Sequence, residues 1–360
     1  MFKFTDLKSI HLEISSRCQA SCPMCPRNVH GGLTNTNLIE TDWTFEDFIS
    51  IINIEVLNQL SNIYFCGNFG DPIMNNDLIK MCQYIKLNNP HISVRIHTNG
   101  GARNSKWWTE LYHSLPTDHS VIFALDGLED THHIYRIGTT YDNVIKNAET
   151  FINCGGTAEW VFIKFKHNEH QVVEAEIRAK QKNFKVFTVK NSTRFIGEPR
   201  FPVKNNNGET IYYLEPSKSN IVLIDNNTIN KFYNEYKNKV IDCQVLKNNE
   251  VYIDSLRNLY PCCYLASPPY TYKNPESTFP EIRDEILNQY NLMVESLGGL
   301  DKLNCITNTI KDIINSDEYQ TVWDSYWGDN KLFTCARVCG KDIEFTQPTG
   351  QYEKRENINS

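Results

Sequence analysis

Residues 16–26 read SRCQASCPMCP, and this stretch decides what kind of protein the sequence describes. Its cysteines, Cys18, Cys22 and Cys25, have the spacing C-x3-C-x2-C and come directly after a strand-like apolar run. Three thiolates this close in sequence can wrap one face of a cubane iron–sulfur cluster. Because such clusters are usually held by four thiolates, three leave one iron open for a substrate or cofactor.

A zinc site and a set of buried free thiols are the two other interpretations of these cysteines. Structural zinc generally takes two pairs of ligands with tetrahedral closure, and this loop carries only three cysteines. The loop comes directly after the first strand of a series in which strand-like and helical runs alternate, and this position favours the cluster.

Outward from this loop, the first 200 residues alternate between short β-rich runs and longer amphipathic runs. The strand-like runs cover residues 10–15, 62–66, 93–97, 120–125, 159–165 and 184–189. The helical runs cover residues 44–60, 75–88, 104–114, 141–154 and 169–182. Since parallel strands need helical crossovers, we predict an α/β fold with a parallel sheet. Six units are too few for a closed eight-stranded barrel, so the expected form is a partial (βα)6 barrel with its site at the carboxyl ends of the strands.

Composition limits the classes of protein that remain. The chain has 360 residues, of which 40% are hydrophobic and 22% charged, as in globular proteins. A formal net charge of -7 argues against non-specific nucleic-acid binding. The sequence has neither a membrane-spanning apolar run nor a recognisable signal peptide, so we expect a cytoplasmic protein without a membrane partner. In a reducing compartment, its 12 cysteines indicate metal or redox chemistry.

Breaks in the pattern divide the chain into four predicted parts. Residues 1–196 form the partial barrel, and residues 197–240 form a linker interrupted by glycine and proline. Residues 241–345 form a smaller, cysteine-rich α+β domain. Residues 346–360 form a polar tail that we expect to be frayed.

The cysteine loop resembles the motif of the radical S-adenosylmethionine (SAM) superfamily, C-x3-C-x-aromatic-C. Met24 stands in the place of the aromatic residue, which contacts the adenine region in that family, and methionine can pack there too. Residues 65–72, FCGNFGDP, resemble the family's Gly-Gly-Glu-Pro segment, whose backbone receives the SAM amino group. The resemblance therefore assigns SAM binding to Gly67, Asn68, Gly70, Asp71 and Pro72.

Three more strand ends extend the resemblance. Asn99 matches a residue that contacts the SAM ribose, and Asp126 matches another strand-end position. Arg136 is a candidate for pairing with the SAM carboxylate. A simple surface or helix arginine is the alternative for Arg136.

The resemblance implies an oxidoreductase-type reaction in which a [4Fe–4S] cluster cleaves SAM reductively. The products are methionine and a 5′-deoxyadenosyl radical that abstracts hydrogen from an unreactive carbon. A flavodoxin- or ferredoxin-type protein would supply the electron. The substrate is either a small molecule, such as an amino sugar or nucleoside derivative, or a peptide. Few residues precede the first strand, so we expect no leader-peptide-binding domain there. The alternative from another class is a non-catalytic iron–sulfur or zinc-binding scaffold. Such a scaffold needs no SAM pocket, so the segment at 67–72 and Asn99 favour the enzyme.

A second set of cysteines resembles the C-terminal domains called SPASM and, in shorter form, twitch. It comprises Cys243, Cys262, Cys335 and Cys339, with a predicted β-hairpin before Cys262. The resemblance implies one auxiliary [4Fe–4S] cluster, although Arg257 stands where the family has a turn glycine. A four-thiolate zinc site would look the same in sequence. Cys263 can substitute for Cys262, and Cys305 can add a ligand. The other three cysteines, Cys66, Cys82 and Cys154, are expected in the core.

Overall fold

The computed structural model describes residues 1–192, 194–195, 199–218, 226–271, 282–341 and 352–359. Its strands are β1 Ser9–Leu12, β2 Asn62–Phe65, β3 Ser93–Thr98, β4 His119–Ala124, β5 Ala158–Lys164, β6 Val186–Asn191, β7 Phe201–Lys204, β8 Thr210–Leu214, β9 Glu250–Ile253, β10 Leu259–Tyr260 and β11 Tyr352–Asn357. Nine of them form one sheet in the order β10-β9-β1-β2-β3-β4-β5-β6-β11, while β7 and β8 form a separate hairpin.

Strands β1 to β6 lie side by side in chain order, and every neighbouring pair among them is parallel. Each of the six strand-like runs of the sequence overlaps one of these strands. The prediction of an α/β partial barrel is therefore confirmed. Parallel order also brings the loops that follow these strands to one rim.

The helices that connect and cover these strands have the following bounds. They are α1 Phe45–Ile51, α2 Ile54–Gln59, α3 Leu78–Asn88, α4 Ser105–Ser114, α5 His132–Tyr135, α6 Tyr141–Asn153, α7 Val172–Gln181, α8 Asn226–Glu235, α9 Gln244–Asn248, α10 Cys263–Ala266, α11 Pro268–Thr271, α12 Arg283–Ser296, α13 Leu300–Leu303, α14 Ile310–Asn315, α15 Asp317–Trp327 and α16 Phe333–Cys339. Thr44 caps α1 in a reciprocal box with Asp47.

The main core lies between the sheet and the helices outside it. Along β5, buried and partly buried residues alternate, as expected for a strand with one face against helices. Trp160 and Phe162 are buried on the helix side, with Trp108 and Phe151 from the covering helices in the same cluster. Burial of such large side chains stabilises the barrel by roughly 1.5–3 kcal/mol each.

Both edges of the six-stranded sheet are extended by distant parts of the chain. Strand β9 pairs in parallel with β1, and β10 turns back beside β9. At the other edge, β11 pairs antiparallel with β6. The expectation of a frayed tail is thus wrong for residues 352–357, because the open edge of β6 offers backbone groups to pair with.

Within the predicted linker, β7 and β8 form an antiparallel hairpin beside the barrel rim. The hairpin contacts the cysteine-bearing side of the barrel, where the Lys204 amide donates to the His30 carbonyl at 2.9 Å. The Tyr212 hydroxyl donates to the Ile134 carbonyl at 2.7 Å. Across the described residues, no helix combines the length and apolar character needed to cross a bilayer.

Candidate functional site

The three cysteines of the first loop lie at the rim immediately beyond β1. The loop is folded on itself, with the Cys25 amide donating to the Cys22 carbonyl at 3.0 Å. The Cys18 sulfur accepts from the Ala20 amide and from Asn99 Nδ2, each at 3.4 Å. Such donors stabilise thiolate sulfur, which is the form that binds metal.

Arg136, at the C-terminal cap of α5, lies against the same loop with its side chain 15% exposed. Its Nε is 2.6 Å from Asp126 Oδ2, and its Nη1 is 3.6 Å from the Cys22 sulfur. Asp126 is fully buried, and its Oδ1 accepts from the Ile163 amide at 2.5 Å. Although burial disfavours a charge here, Asp126 and Cys22 raise the pKa of Arg136 well above its ordinary value. The site therefore holds a fixed cation beside one thiol.

The segment after β2 is a tight loop that only glycine permits at two positions. A Cβ at Gly70 would approach the Ser15 carbonyl oxygen to 1.8 Å, and one at Gly67 would lie 2.3 Å from the Gly70 oxygen. Both approaches are far inside van der Waals contact. The loop backbone is thus held directly against the end of β1, next to the cysteine loop.

Asp71 is buried and holds the loop to the neighbouring strand end. Its Oδ2 accepts from Thr98 Oγ1 at 3.0 Å and from the Asn99 amide at 2.7 Å. Its Oδ1 accepts from the Ile73 amide at 3.1 Å, beside Pro72 in a short 3-10 helix. Burial raises the pKa of Asp71, and these hydrogen bonds oppose that shift. The carboxylate organises the rim through the backbone of Asn99.

Asn99 links the ends of β1 and β3. Its Oδ1 accepts from Gln19 Nε2 at 2.6 Å, while its Nδ2 reaches the Cys18 sulfur. Gln19 belongs to the cysteine loop itself. The structure therefore brings the predicted residues on the loops after β1, β2, β3 and β4 together at one place.

Met24 is buried in a small apolar cluster beneath the cysteine loop. Its sulfur accepts from the Ser192 hydroxyl at 3.6 Å, and its carbonyl accepts from Arg194 Nη1. The buried members of this cluster are Ala20, Cys22, Met24, Tyr135, Phe165, Phe195, Val203 and Leu214. Met24 thus packs the cysteine loop against the chain beyond β6.

The second cysteine set lines one cavity of about 270 Å³ between the sheet edge and α16. All four predicted ligands are on its wall, namely Cys243, Cys262, Cys335 and Cys339. A hydrogen bond from Cys339 lowers the pKa of Cys243 to about 7, and the same contact raises the pKa of Cys339. Burial, and then the nearby Cys262 and Cys243, raise the pKa of Cys335. The four sulfurs are thus within electrostatic reach of one another.

The neighbouring cysteines differ in their surroundings. Cys263 lines the same cavity as Cys262, and burial, followed by the nearby Cys262, raises its pKa. Cys305 lies in the main core and is not among the residues that line the cavity. Cys82 is fully buried, as expected, whereas Cys66 and Cys154 are only partly buried and are not core residues.

Arg257 forms the turn of the β9–β10 hairpin in the conformation that glycine favours. Its φ is 69°, in the left-handed region that costs an ordinary residue about 1–2 kcal/mol. The side chain compensates through Nη2, which lies 2.7 Å from Asp47 Oδ2 and donates to the Asp42 carbonyl at 2.7 Å. An arginine therefore occupies the turn position for which a glycine is the usual choice.

Glu13 and Gln19 are site residues that sequence reasoning missed. Glu13 is 1% exposed at the carboxyl end of β1, and it accepts from the Phe69 and Gly70 amides at 2.8 and 3.1 Å. A charged residue between the apolar Leu12 and Ile14 was the signal available for Glu13. Gln19 has no such signal, because a glutamine between two cysteines is unremarkable in composition.

Within the ranges that the structure describes, no three His, Cys, Asp or Glu side chains converge closely enough to hold a single metal ion. The donors of both cysteine sets are thiols, the ligand type that iron–sulfur clusters and structural zinc share. The chemistry of the two donor sets therefore fits a thiolate-bound metal centre in each place.

Solved structures share this fold at low sequence identity. Streptococcus suis SuiB bound to its precursor peptide SuiA has a TM-score of 0.53 and 14% identity, over 88% of this chain and 67% of SuiB. A structure of anSMEcpe with bound AdoMet and the Kp18Cys peptide has a TM-score of 0.53 and 16% identity, over 97% of this chain and 93% of that one. A hexahistidine-tagged form of anSMEcpe with bound AdoMet has a TM-score of 0.52 and 15% identity, over 98% and 90%.

The match to SuiB is partial in length, since this chain spans only 61% of SuiB in its S-adenosylmethionine-bound structure. No family model matches the chain, and no curated protein matches it in sequence. The similarity accordingly establishes a common fold with proteins whose structures contain AdoMet.

Proposed function

We propose that the chain is a radical SAM enzyme in which Cys18, Cys22 and Cys25 hold a [4Fe–4S] cluster. The observation that carries the proposal is the position of the three thiols at the barrel rim, beside the glycine loop and Asn99. The fold shared with AdoMet-bound proteins supports it. When bound, the cluster supplies the electron for reductive cleavage of SAM.

The residues around the thiols have defined tasks in this proposal. Burial raises the pKa of Cys18 and Cys22, so each thiol must give up a proton when metal binds. Asn99 and Arg136 donate to these sulfurs and favour their anionic form. Arg136 also presents a fixed positive charge at the rim, suited to the carboxylate of SAM.

The glycine loop at 67–72 would receive the SAM amino group through its backbone. Gly67 and Gly70 allow that backbone to approach the end of β1, and Asp71 holds it from below. In this role Asp71 acts on SAM through the position of Asn99 and the loop. Met24, which lies in its buried cluster, would border the adenine region of SAM.

The test is anaerobic reconstitution with iron and sulfide, followed by reduction with dithionite in the presence of SAM. Mass spectrometry should detect methionine and 5′-deoxyadenosine. A reconstituted protein that carries iron but releases neither product would instead be the non-catalytic scaffold.

We propose further that Cys243, Cys262, Cys335 and Cys339 hold an auxiliary [4Fe–4S] cluster in a twitch-like region. Their common cavity and the left-handed turn at Arg257 support this. Cys263 lines the same cavity and is the alternative to Cys262. Zinc is the competing occupant, and metal analysis distinguishes the two.

For the substrate we propose a peptide or protein segment, with a flavodoxin- or ferredoxin-type protein as reductant. The peptides bound in the SuiB and anSMEcpe structures support this class. A deuterium-labelled peptide library, incubated with SAM and dithionite, should give monodeuterated 5′-deoxyadenosine. Transfer from labelled amino sugars or nucleosides alone would place the substrate among small molecules.

A further inference from the structure

The carboxylate of Glu13 joins two parts of the molecule that are far apart in sequence. Its Oε1 accepts from the amides of Phe69 and Gly70 in the glycine loop. Its Oε2 accepts from the hydroxyl of Tyr252 on β9. Both side chains are 1% exposed. A buried carboxylate needs such partners, since an unpaired one is costly to keep away from water.

Tyr252 is placed for this contact by the parallel pairing of β9 with β1. In that register His11 is opposite Tyr252, and the two rings lie 4.8 Å apart. Glu13 follows the paired part of β1, and its amide donates to the Ile253 carbonyl at 3.0 Å. The tyrosine hydroxyl therefore depends on the β9–β10 hairpin for its position.

A second contact connects the same two regions. Asn68 Nδ2, in the glycine loop, donates to the Cys263 carbonyl at 2.8 Å. Cys263 begins α10 immediately after the hairpin and lines the second cysteine cavity. The glycine loop is thus held from β1 on one side and from the C-terminal hairpin on the other.

We infer that the C-terminal hairpin is part of the SAM-binding apparatus, with Glu13 and Tyr252 as positioning residues that set the glycine loop. This deepens the proposed function and rests on it. The loop contains two glycines and so has little conformational preference of its own. Glu13 selects the conformation by fixing two adjacent amides, and the Tyr252 hydroxyl keeps the carboxylate turned toward them.

The test compares two buried tyrosines of one hairpin. Tyr252 and Tyr260 are cross-strand partners, but the Tyr260 hydroxyl contacts the Tyr290 hydroxyl at 3.1 Å. We expect Tyr252→Phe to weaken SAM binding about tenfold, the effect of losing one hydrogen bond to a charged group. Tyr260→Phe should leave SAM affinity within about twofold of wild type. Equilibrium dialysis on reconstituted protein gives the dissociation constant, and iron content confirms loading.

Two further variants separate positioning from simple damage. Glu13→Leu should weaken SAM binding more than Tyr252→Phe does, and adding Tyr252→Phe to it should cause no further loss. Glu13→Gln can accept from both amides and donate to Tyr252, so it should bind nearly as wild type. In turnover, Tyr252→Phe should raise the KM for SAM while kcat at saturating SAM changes little.

The outcomes are distinct from those that test the proposed function. If wild-type protein carries its iron yet binds no SAM, the proposed function fails. If wild type binds SAM and Tyr252→Phe binds it as tightly as Tyr260→Phe, the inference about the hairpin is overturned. Additive losses of SAM affinity in the double variant would overturn it as well. If Tyr252→Phe cannot be recovered folded, Glu13→Leu alone decides, and unchanged SAM affinity in that variant overturns the inference.

Discussion

The two cysteine sets of this chain are built in opposite ways. The first occupies one loop, residues 18–25, beyond a single strand. The second joins a residue before β9, the end of the hairpin and both ends of one turn of α16. Cys335 and Cys339 are four apart on that helix and so share a face. Local spacing therefore specifies the first set, whereas tertiary packing assembles the second.

Their surroundings differ as well. The sulfurs of the first loop accept hydrogen bonds from the Ala20 amide, the Asn99 carboxamide and the Arg136 guanidinium. The sulfurs of the second set also accept hydrogen bonds from backbone amides, at Cys243, Cys262 and Cys339. In addition, the second set lines a cavity whose wall includes apolar and aromatic residues such as Val338 and Trp327. The Arg136 guanidinium beside the first set suits a centre that exchanges charge with a bound cofactor. The second set comes from three separate segments of the chain, which suits a centre that binds its region together.

Removing the first set should have the largest effect. We expect Cys18→Ala/Cys22→Ala/Cys25→Ala to abolish SAM cleavage, because the variant has no thiols left to hold the open iron. The same variant should keep about four irons and a cubane absorbance from the second set. Metal analysis after reconstitution checks both statements. One zinc per chain without iron would make the second set structural, and release of 5′-deoxyadenosine would refute the assignment of the first.

Removing one member of the second set should destabilise the fold rather than the chemistry of the first. We expect Cys335→Ala to lower the unfolding free energy by at least about 3 kcal/mol, since metal binding there is coupled to folding. Cys305→Ala is the matched control, a buried cysteine outside the cavity, with an expected cost of about 1 kcal/mol. Thermal unfolding of both metal-loaded proteins compares them. Equal losses would mean that Cys335 is an ordinary core residue.

A change in the glycine loop should weaken the first site without touching a cysteine. In Gly70→Ala the new Cβ collides with the Ser15 carbonyl, so we expect SAM affinity to fall by roughly 2–3 kcal/mol, or about 30- to 150-fold. Gly208→Ala is the control, because its Cβ meets nothing within 4 Å and only its φ of 81° is unfavourable. Dialysis of SAM against each protein measures the difference. Unchanged affinity in Gly70→Ala would remove this loop from the site.

The smallest effect concerns the hairpin that connects the two regions. Burial raises the pKa of Asp254 to about 7, from an ordinary value of 3.8. Because the folded form binds the proton more tightly, its stabilising contribution is complete below about pH 4 and is lost as the pH rises through about 7. We expect this group to remove about 2 kcal/mol of stability between pH 5 and 7.

Asp254→Asn should flatten that part of the pH profile, whatever it does to absolute stability. Denaturant unfolding at pH 5, 6 and 7 measures the slope for both proteins. Glu13, whose pKa burial also raises, contributes in the same direction and stays in both profiles. Identical slopes would show that Asp254 is ionised in the folded state at pH 5.

The sequence by itself determined the barrel and the first cysteine loop. Six apolar runs separated by amphipathic runs predicted β1 to β6 and their parallel order, and the helical run at 44–60 located the start of α1. These signals are local, since periodicity depends on residues a few positions apart. The spacing of Cys18, Cys22 and Cys25 is local in the same sense.

Only the tertiary structure decided what lies at the two sheet edges and how the second cysteine set is arranged. Pairing of β9 with β1, and of β11 with β6, joins segments with no common sequence pattern. The contact between Glu13 and Tyr252 follows from that pairing, as does the hydrogen bond from Asn68 to the Cys263 carbonyl. Such contacts depend on which distant segment satisfies an open strand edge and buries its apolar face there. No short window of sequence contains that information.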